Sequence, residues 1–125
     1  MPKKILVVDD NKTYRMGVSE GLEAVGYQVD TAEDGLIAQR RLQSDDSIDY
    51  VLSDTNMPEI DGIELVTWIH NSGLTKRIKV ILNSSNPTYE GIDLERFCES
   101  MGDPNIRFYE KADLKKSIRE YFPNN

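Results

Sequence analysis

Residues 50–62 read YVLSDTNMPEIDG, and the pattern of side chains changes twice within them. The mostly apolar run at residues 50–53 predicts a strand that ends at Asp54. Pro58 and the pair Asp61-Gly62 are typical of a loop. Apolar residues then recur with helical spacing at positions 63, 65, 66 and 69. This stretch therefore predicts a strand, a loop that opens with an aspartate, and a helix.

The same alternation of strand and helix recurs along the whole chain. Further strands are predicted at residues 5–8, 27–31, 78–82 and 106–109, and a helical pattern follows each of them. The helix after the fourth strand is predicted from residue 88 to about residue 101. Alternating units of this kind predict a parallel sheet with right-handed crossovers and helices on both faces. We therefore predict an α/β, flavodoxin-like, doubly wound sheet of five strands in the order 2-1-3-4-5.

Length and composition predict one domain and exclude several classes of protein. The chain has 125 residues, so residues 1–125 are expected to form a single domain with no output domain after it. A net charge of −7 argues against direct nucleic-acid binding, because phosphate backbones require clustered lysines and arginines. No apolar run approaches the roughly 20 residues that span a bilayer, so membrane insertion is not expected. The single cysteine, Cys98, fits a reducing, cytoplasmic location.

Polar side chains follow four of the predicted strands, and the topology brings the ends of these strands together. They are Asp9, Asp10, Asp54, Ser84 and Lys111. Clustered carboxylates either acquire raised pKa values or share a cation, and hard oxygen ligands favour Mg²⁺ or Ca²⁺. An ammonium and a hydroxyl opposite such a cation would complete a clamp for a phosphoryl group, and an aspartate can act as its nucleophile.

Four segments, taken together, resemble the response-regulator receiver family. They are KILVVDD, DTNMPEIDG, VILNSS and EKAD, and the resemblance extends over essentially the whole chain. It implies the CheY-like version of the predicted fold, with Asp54 as the phosphoacceptor and Ser84 and Lys111 as ligands of the phosphoryl group. It also implies Mg²⁺ as the cofactor. The metal ligands would be Asp9, Asp10, Asp54 and the backbone carbonyl of Asn56. The switch residues would be Ser84 and an aromatic side chain, here Phe108.

The resemblance further implies a role in two-component signal transduction. The phosphoryl donor would be a sensor histidine kinase or a histidine phosphotransfer protein. The target would be a downstream protein that docks near the fourth helix, the fifth strand and the fifth helix. A receiver of this kind is not an enzyme in the usual sense, although intrinsic autodephosphorylation is expected.

Three features depart from the family pattern. Ala112 follows Lys111 where the family has proline after a peptide bond that is usually cis, so this bond is either a strained cis bond or trans. Ser85 replaces a smaller residue. The interval between Ser84 and Lys111 is longer than usual, and the added length is expected to extend the fourth helix or the loop after it.

Other functions remain as alternatives. A phosphatase of the haloacid-dehalogenase type requires Asp-x-Asp, whereas the sequence here is Asp54-Thr55-Asn56. A flavodoxin is disfavoured because no phosphate-binding loop rich in serine, threonine and glycine follows the first strand. The remaining alternative is an interaction module on the receiver fold that is never phosphorylated.

Overall fold

The computed structural model describes residues 2–123, so Met1 and residues 124–125 of the predicted domain lie outside the described part. Seven strands lie at Lys4–Val8 (β1), Gln28–Ala32 (β2), Tyr50–Ser53 (β3), Lys79–Ser84 (β4), Thr88–Tyr89 (β5), Ile92–Asp93 (β6) and Ile106–Glu110 (β7). Five helices lie at Lys12–Ala24 (α1), Gly35–Ser44 (α2), Gly62–Asn71 (α3), Leu94–Ser100 (α4) and Leu114–Tyr121 (α5). Two 3₁₀ turns lie at Leu74–Lys76 and Lys111–Asp113.

The five long strands form one parallel sheet in the order β2-β1-β3-β4-β7. This is the predicted order 2-1-3-4-5, because β7 is the fifth strand of the sheet and β5 and β6 pair only with each other. The predicted fold class is confirmed. None of the helices in residues 2–123 combines the length and the apolar character that a bilayer crossing requires.

Each face of the sheet is buried by a different set of helices. Alternate residues of β1 point to opposite faces, as the two-residue period of a strand requires. Leu6 and Val8 join a core cluster with residues of α2, α3 and α4. Ile5 and Val7 join a second cluster with Leu22 of α1 and the end of α5. Burial on both faces explains why β1 reads as a continuous apolar run.

The segment after β4 differs from the prediction. Residues 88–93 form a two-stranded antiparallel hairpin instead of the first turns of a helix, and α4 begins only at Leu94. Glu90 and Gly91 form the turn with φ angles of 49° and 79°, and two adjacent positive φ angles suit the tight turn of a hairpin. The carboxylate of Asp93 then accepts a hydrogen bond from the amide of Arg96 (3.1 Å) and caps the helix. The expectation that the added length extends the fourth helix or its following loop is therefore wrong.

Candidate functional site

Three carboxylates meet beyond the carboxyl ends of β1 and β3. Asp9 and Asp10 follow β1, and Asp54 follows β3. The amide of Asp54 donates a hydrogen bond to the carbonyl oxygen of Val8 (2.8 Å), so the two strand ends are held in register. One carboxylate oxygen from each aspartate lies within 4.8 Å of the others. The sequence-based prediction of these three residues as a set thus agrees with their placement in the fold.

Lys111 places its ammonium between two of these carboxylates. Its Nζ lies 3.0 Å from Oδ2 of Asp9 and 3.5 Å from Oδ1 of Asp54. Asp9 is 2% exposed, while Asp54 is partly exposed and Asp10 is exposed. The Lys111–Ala112 peptide bond is trans, which settles the two alternatives left by the missing proline. The lysine reaches the site from the 3₁₀ turn that follows β7.

The pKa of Asp54 is raised above its ordinary value. Burial is the largest cause, and the negative charge of Asp9 adds to it, while Lys111 partly offsets both. The single positive charge of Lys111 therefore does not balance the negative charges of the carboxylates in this cluster. A small hard cation fits this donor set, because it would neutralise the excess charge with the oxygen ligands that Mg²⁺ prefers. The described residues thus suit the metal that the family resemblance implies.

The other predicted site residues are nearby but not joined to the cluster. Ser84 is the last residue of β4, is 9% exposed, and accepts a hydrogen bond from the amide of Asn86 (3.3 Å). Within residues 2–123 no hydrogen bond joins Ser84 to Asp54. Asn56 is exposed on the loop after β3. Phe108 of β7 is half-buried, lies in register with Leu82, and packs against the core cluster beneath α3 and α4.

Gly62 at the start of α3 supports the loop that carries Asp54. Its amide donates a hydrogen bond to the carbonyl oxygen of Thr55 (2.7 Å). A Cβ atom on Gly62 would lie 2.3 Å from the carbonyl oxygen of Asp54 and 2.8 Å from Cδ1 of Leu82. The first turn of α3 can therefore approach the backbone of Asp54 only because residue 62 has no side chain. The Asp61-Gly62 pair, read from sequence as a loop signal, has this second role.

Two residues at the site had no predicted role. They are Tyr14 of α1 and Asn83 of β4. The hydroxyl of Tyr14 donates to Oδ1 of Asn83 (3.1 Å), and the ammonium of Lys111 lies 4.1 Å from the centre of the Tyr14 ring. One local signal existed, because Asn11 caps α1 by accepting from the amide of Tyr14 (2.9 Å) and so places Tyr14 in the first turn, beside the end of β1.

A family model described as "Response regulator receiver domain" matches residues 5–93, which is more than half of the chain. The chain therefore belongs to the response-regulator receiver family, the receiver domains of two-component systems. The match ends where the hairpin ends, at Asp93. The family predicted from the four sequence segments is confirmed.

Two curated relatives and two solved structures illustrate the similarity. The sensor histidine kinase RcsC of Salmonella typhimurium is 48% identical over 71 residues, which is 57% of this chain and 7% of the kinase. The chemotaxis protein CheY1 of Helicobacter pylori is 35% identical over 80 residues, 63% of this chain and 64% of CheY1. This chain thus spans only a small part of the kinase that it matches.

The solved structures extend over nearly the full chain. Chemotaxis protein CheY4 of Vibrio cholerae superposes with a TM-score of 0.80 at 26% identity, and the match covers 97% of this chain and 99% of CheY4. Response regulator TrrA of Thermotoga maritima, solved in complex with Mg²⁺ and BeF, gives a TM-score of 0.74 at 30% identity, covering 95% and 98% of the two chains. The CheY-like fold is therefore confirmed over nearly the whole chain.

Proposed function

We propose that Asp54 accepts a phosphoryl group from a histidine kinase or a histidine phosphotransfer protein. The observation that carries the proposal is the position of the Asp54 carboxylate, within 4.8 Å of two other carboxylates and 3.5 Å from the ammonium of Lys111. A structural ion pair needs one carboxylate against the ammonium, whereas here two carboxylates contact it and a third lies beside them. A phosphoryl-transfer site does need a carboxylate nucleophile flanked by groups that neutralise charge.

The proposed reaction exchanges one bond to phosphorus for another. A carboxylate oxygen of Asp54 attacks the phosphorus, and an acyl–phosphate P–O bond forms. The bond between phosphorus and the donor nitrogen breaks, and its electron pair stays on the departing imidazole. Asp54 must be ionised to attack, so its raised pKa predicts that the rate falls as the pH drops toward that pKa. Hydrolysis of the acyl phosphate by water would return Asp54 to its starting state.

The metal ligands in this proposal are Asp9, Asp10, Asp54 and the backbone carbonyl of Asn56. Mg²⁺ held by these ligands would supply positive charge that lowers the barrier to transfer. Lys111 supplies the protein's own positive charge, because it already lies against Asp9 and Asp54. Ser84 would leave the amide of Asn86 and donate its hydroxyl to a phosphoryl oxygen.

The proposed output is a change in the surface formed by α4, β7 and α5, where a downstream protein would dock. A cavity of about 570 Å³ lies along α4 and β7, and Phe108 and Cys98 are among its lining residues. Phe108 is already half-buried, and phenylalanine has no hydroxyl that requires a partner when it turns inward. We therefore assign most of the switch to residues 86–105, which include the β5–β6 hairpin, and less of it to Phe108.

A cytoplasmic location is part of the same proposal. The free cysteine, Cys98, is buried, as suits a thiol that is not used to form a disulfide.

The test is acyl-phosphate formation from acetyl phosphate and Mg²⁺, followed by intact mass. The parent protein should gain one phosphate in a form labile to base, and Asp54→Asn should gain none. If Asp54→Asn still gains the mass of one phosphate, the acceptor is another residue. If the parent itself takes up no phosphate from acetyl phosphate or from a phosphorylated histidine donor, the chain is instead an interaction module that is not phosphorylated.

The switch is tested separately by NMR with and without beryllofluoride and Mg²⁺. Chemical-shift changes should concentrate in residues 86–105. A full inward rotation of Phe108 from an outward position, with residues 86–105 unchanged, would contradict the proposed division of the switch.

A further inference from the structure

Tyr14 links three elements above the aspartate cluster. Its hydroxyl donates to Oδ1 of Asn83 (3.1 Å), and Nδ2 of Asn83 donates to the carbonyl oxygen of Tyr109 (2.9 Å). Asn83 is 1% exposed, so both ends of its amide are held inside the protein. The orientation of the Tyr14 ring in α1 is thereby tied to β4 and β7.

The face of this fixed ring covers one side of the Lys111 ammonium. The Nζ atom lies 4.1 Å from the ring centre, within the range of a cation–π interaction, and it contacts Asp9 and Asp54 on its other sides. The lysine side chain is 18% exposed. Its four-carbon stem is flexible, so contacts on several sides are needed to hold the charge at one point.

The phenol itself stays neutral over the physiological range. Burial raises the pKa of Tyr14 to about 12, and the negative charges of Asp9 and Asp54 contribute to the rise. The hydroxyl therefore remains a hydrogen-bond donor to Asn83 throughout that range.

We propose that Tyr14 is a positioning residue for phosphoryl transfer: its ring holds the ammonium of Lys111 between Asp9 and Asp54, where the incoming phosphoryl oxygens would meet it. This inference rests on the proposed function. Tyr14 would not touch the phosphoryl group, and it would act by limiting where Lys111 can go. If Tyr14 served only the stability of the fold, removing its ring would leave the position of the Lys111 ammonium unchanged.

The experiment compares Tyr14→Leu, which removes the ring face, with Tyr14→Phe, which keeps the face and removes the hydroxyl. The rate of phosphate incorporation from acetyl phosphate at fixed Mg²⁺ should fall about tenfold in Tyr14→Leu, which corresponds to about 1.4 kcal/mol of transition-state stabilisation. Tyr14→Phe should lose clearly less than Tyr14→Leu, because the ring face is still present beside Lys111 although its hydroxyl no longer ties it to Asn83. Tyr14→Met serves as a second variant without a ring if Tyr14→Leu does not fold.

A second readout does not depend on phosphorylation. In the phosphate-free and metal-free protein, the ring current of Tyr14 should shift the NMR signals of the Lys111 ε-methylene protons upfield. The shift should persist in Tyr14→Phe and disappear in Tyr14→Leu or Tyr14→Met.

The two readouts separate the failure of this inference from the failure of the proposed function. A parent protein that is never phosphorylated but shows the ring-current shift would refute the transfer role and leave the ring–ammonium contact established. An unchanged rate in the folded variants without a ring, or an equal loss in Tyr14→Phe and Tyr14→Leu, would overturn the positioning role of the ring. An absent shift in the parent would overturn the contact itself.

Discussion

Replacing Gly62 by alanine should destabilise the protein by forcing the loop that carries Asp54 away from α3. The new Cβ would lie 2.3 Å from the carbonyl oxygen of Asp54 and 2.8 Å from Cδ1 of Leu82. Heavy atoms in van der Waals contact are about 3.5 Å apart, so the loop or the helix must retreat by about 1 Å. The neighbouring atoms include backbone, which cannot move aside as the end of a flexible side chain can.

The expected change in the free energy of unfolding combines two destabilising effects and one stabilising effect. Overpacking of a filled site costs about 1–3 kcal/mol. Weakening of the hydrogen bond from the Gly62 amide to the Thr55 carbonyl (2.7 Å) adds about 1 kcal/mol. The higher helix propensity of alanine recovers at most about 1 kcal/mol, and less in the first turn. The free energy of unfolding should therefore fall by about 1–3 kcal/mol.

The assay is urea unfolding followed by far-UV circular dichroism, with Gly21→Ala as the matched control. Gly21 lies inside α1, and a Cβ there would meet nothing within 4 Å. This substitution should leave stability unchanged or raise it by up to about 1 kcal/mol. Because the carbonyl of Asp54 is displaced, Gly62→Ala should also weaken Mg²⁺ binding, measured by calorimetry, whereas Gly21→Ala should not. Equal stability of Gly62→Ala and the parent, or equal losses in the two variants, would refute the steric argument.

Three further predictions concern separate parts of the molecule. Asp10→Ala should bind Mg²⁺ more weakly than the parent in calorimetry, because one of the three clustered carboxylates is gone. For the same reason its metal-free form should be at least as stable as the parent, since less negative charge is crowded together. Equal Mg²⁺ affinity in the two proteins would contradict the role of Asp10 as a ligand. Asp103 is partly desolvated, but hydrogen bonds, first among them the one from Thr75 (2.5 Å), hold its pKa below the ordinary value. Its charge therefore stabilises the fold above the unfolded pKa of about 3.9, and this contribution is lost progressively as the pH falls from there through the lower folded-state pKa. Asp103→Asn should cost about 1–2 kcal/mol at pH 7, and the cost should shrink steadily as urea titrations are carried to pH values below about 4. Glu90→Gly should raise the midpoint of thermal unfolding, because a glutamate at φ 49° is strained and Gly91 beside it is not; an unchanged midpoint would show that the hairpin turn does not limit stability.

Local patterns in the sequence were sufficient to predict the sheet and the acidic cluster. A buried parallel strand reads as an apolar run, and the polar residue after it marks the edge of the sheet where a site can lie. Asp9 and Asp54 could be assigned in this way because each directly follows such a run, and strand order then makes them neighbours. Family resemblance supplied the specific roles of these residues, because the pattern alone left open whether the clustered carboxylates have raised pKa values or share a cation.

The β5–β6 hairpin was not predictable from the same patterns. Its strands have two residues each, too few to display a period, and its turn places Glu90 at a positive φ that glutamate rarely adopts. Contacts of the hairpin with the rest of the molecule help to set this conformation. Tyr89 packs against the core cluster, and its hydroxyl donates to Oδ2 of Asp61 at 3.4 Å.

Contacts between residues far apart in the chain were decided only by the tertiary structure. Lys111 could be placed at the edge of the sheet from sequence. The ring of Tyr14 reaches it, and the amide of Asn83 holds that ring, only because β4 and β7 lie side by side and α1 begins next to them. His70, which had no assigned role, likewise lies 3.0 Å from Asp103 across the fold. The position of a residue within the repeat of its helix or strand predicts which face of that element its side chain occupies. Its partner depends on how the elements are stacked, and that is settled by the packing of the two hydrophobic clusters against the sheet.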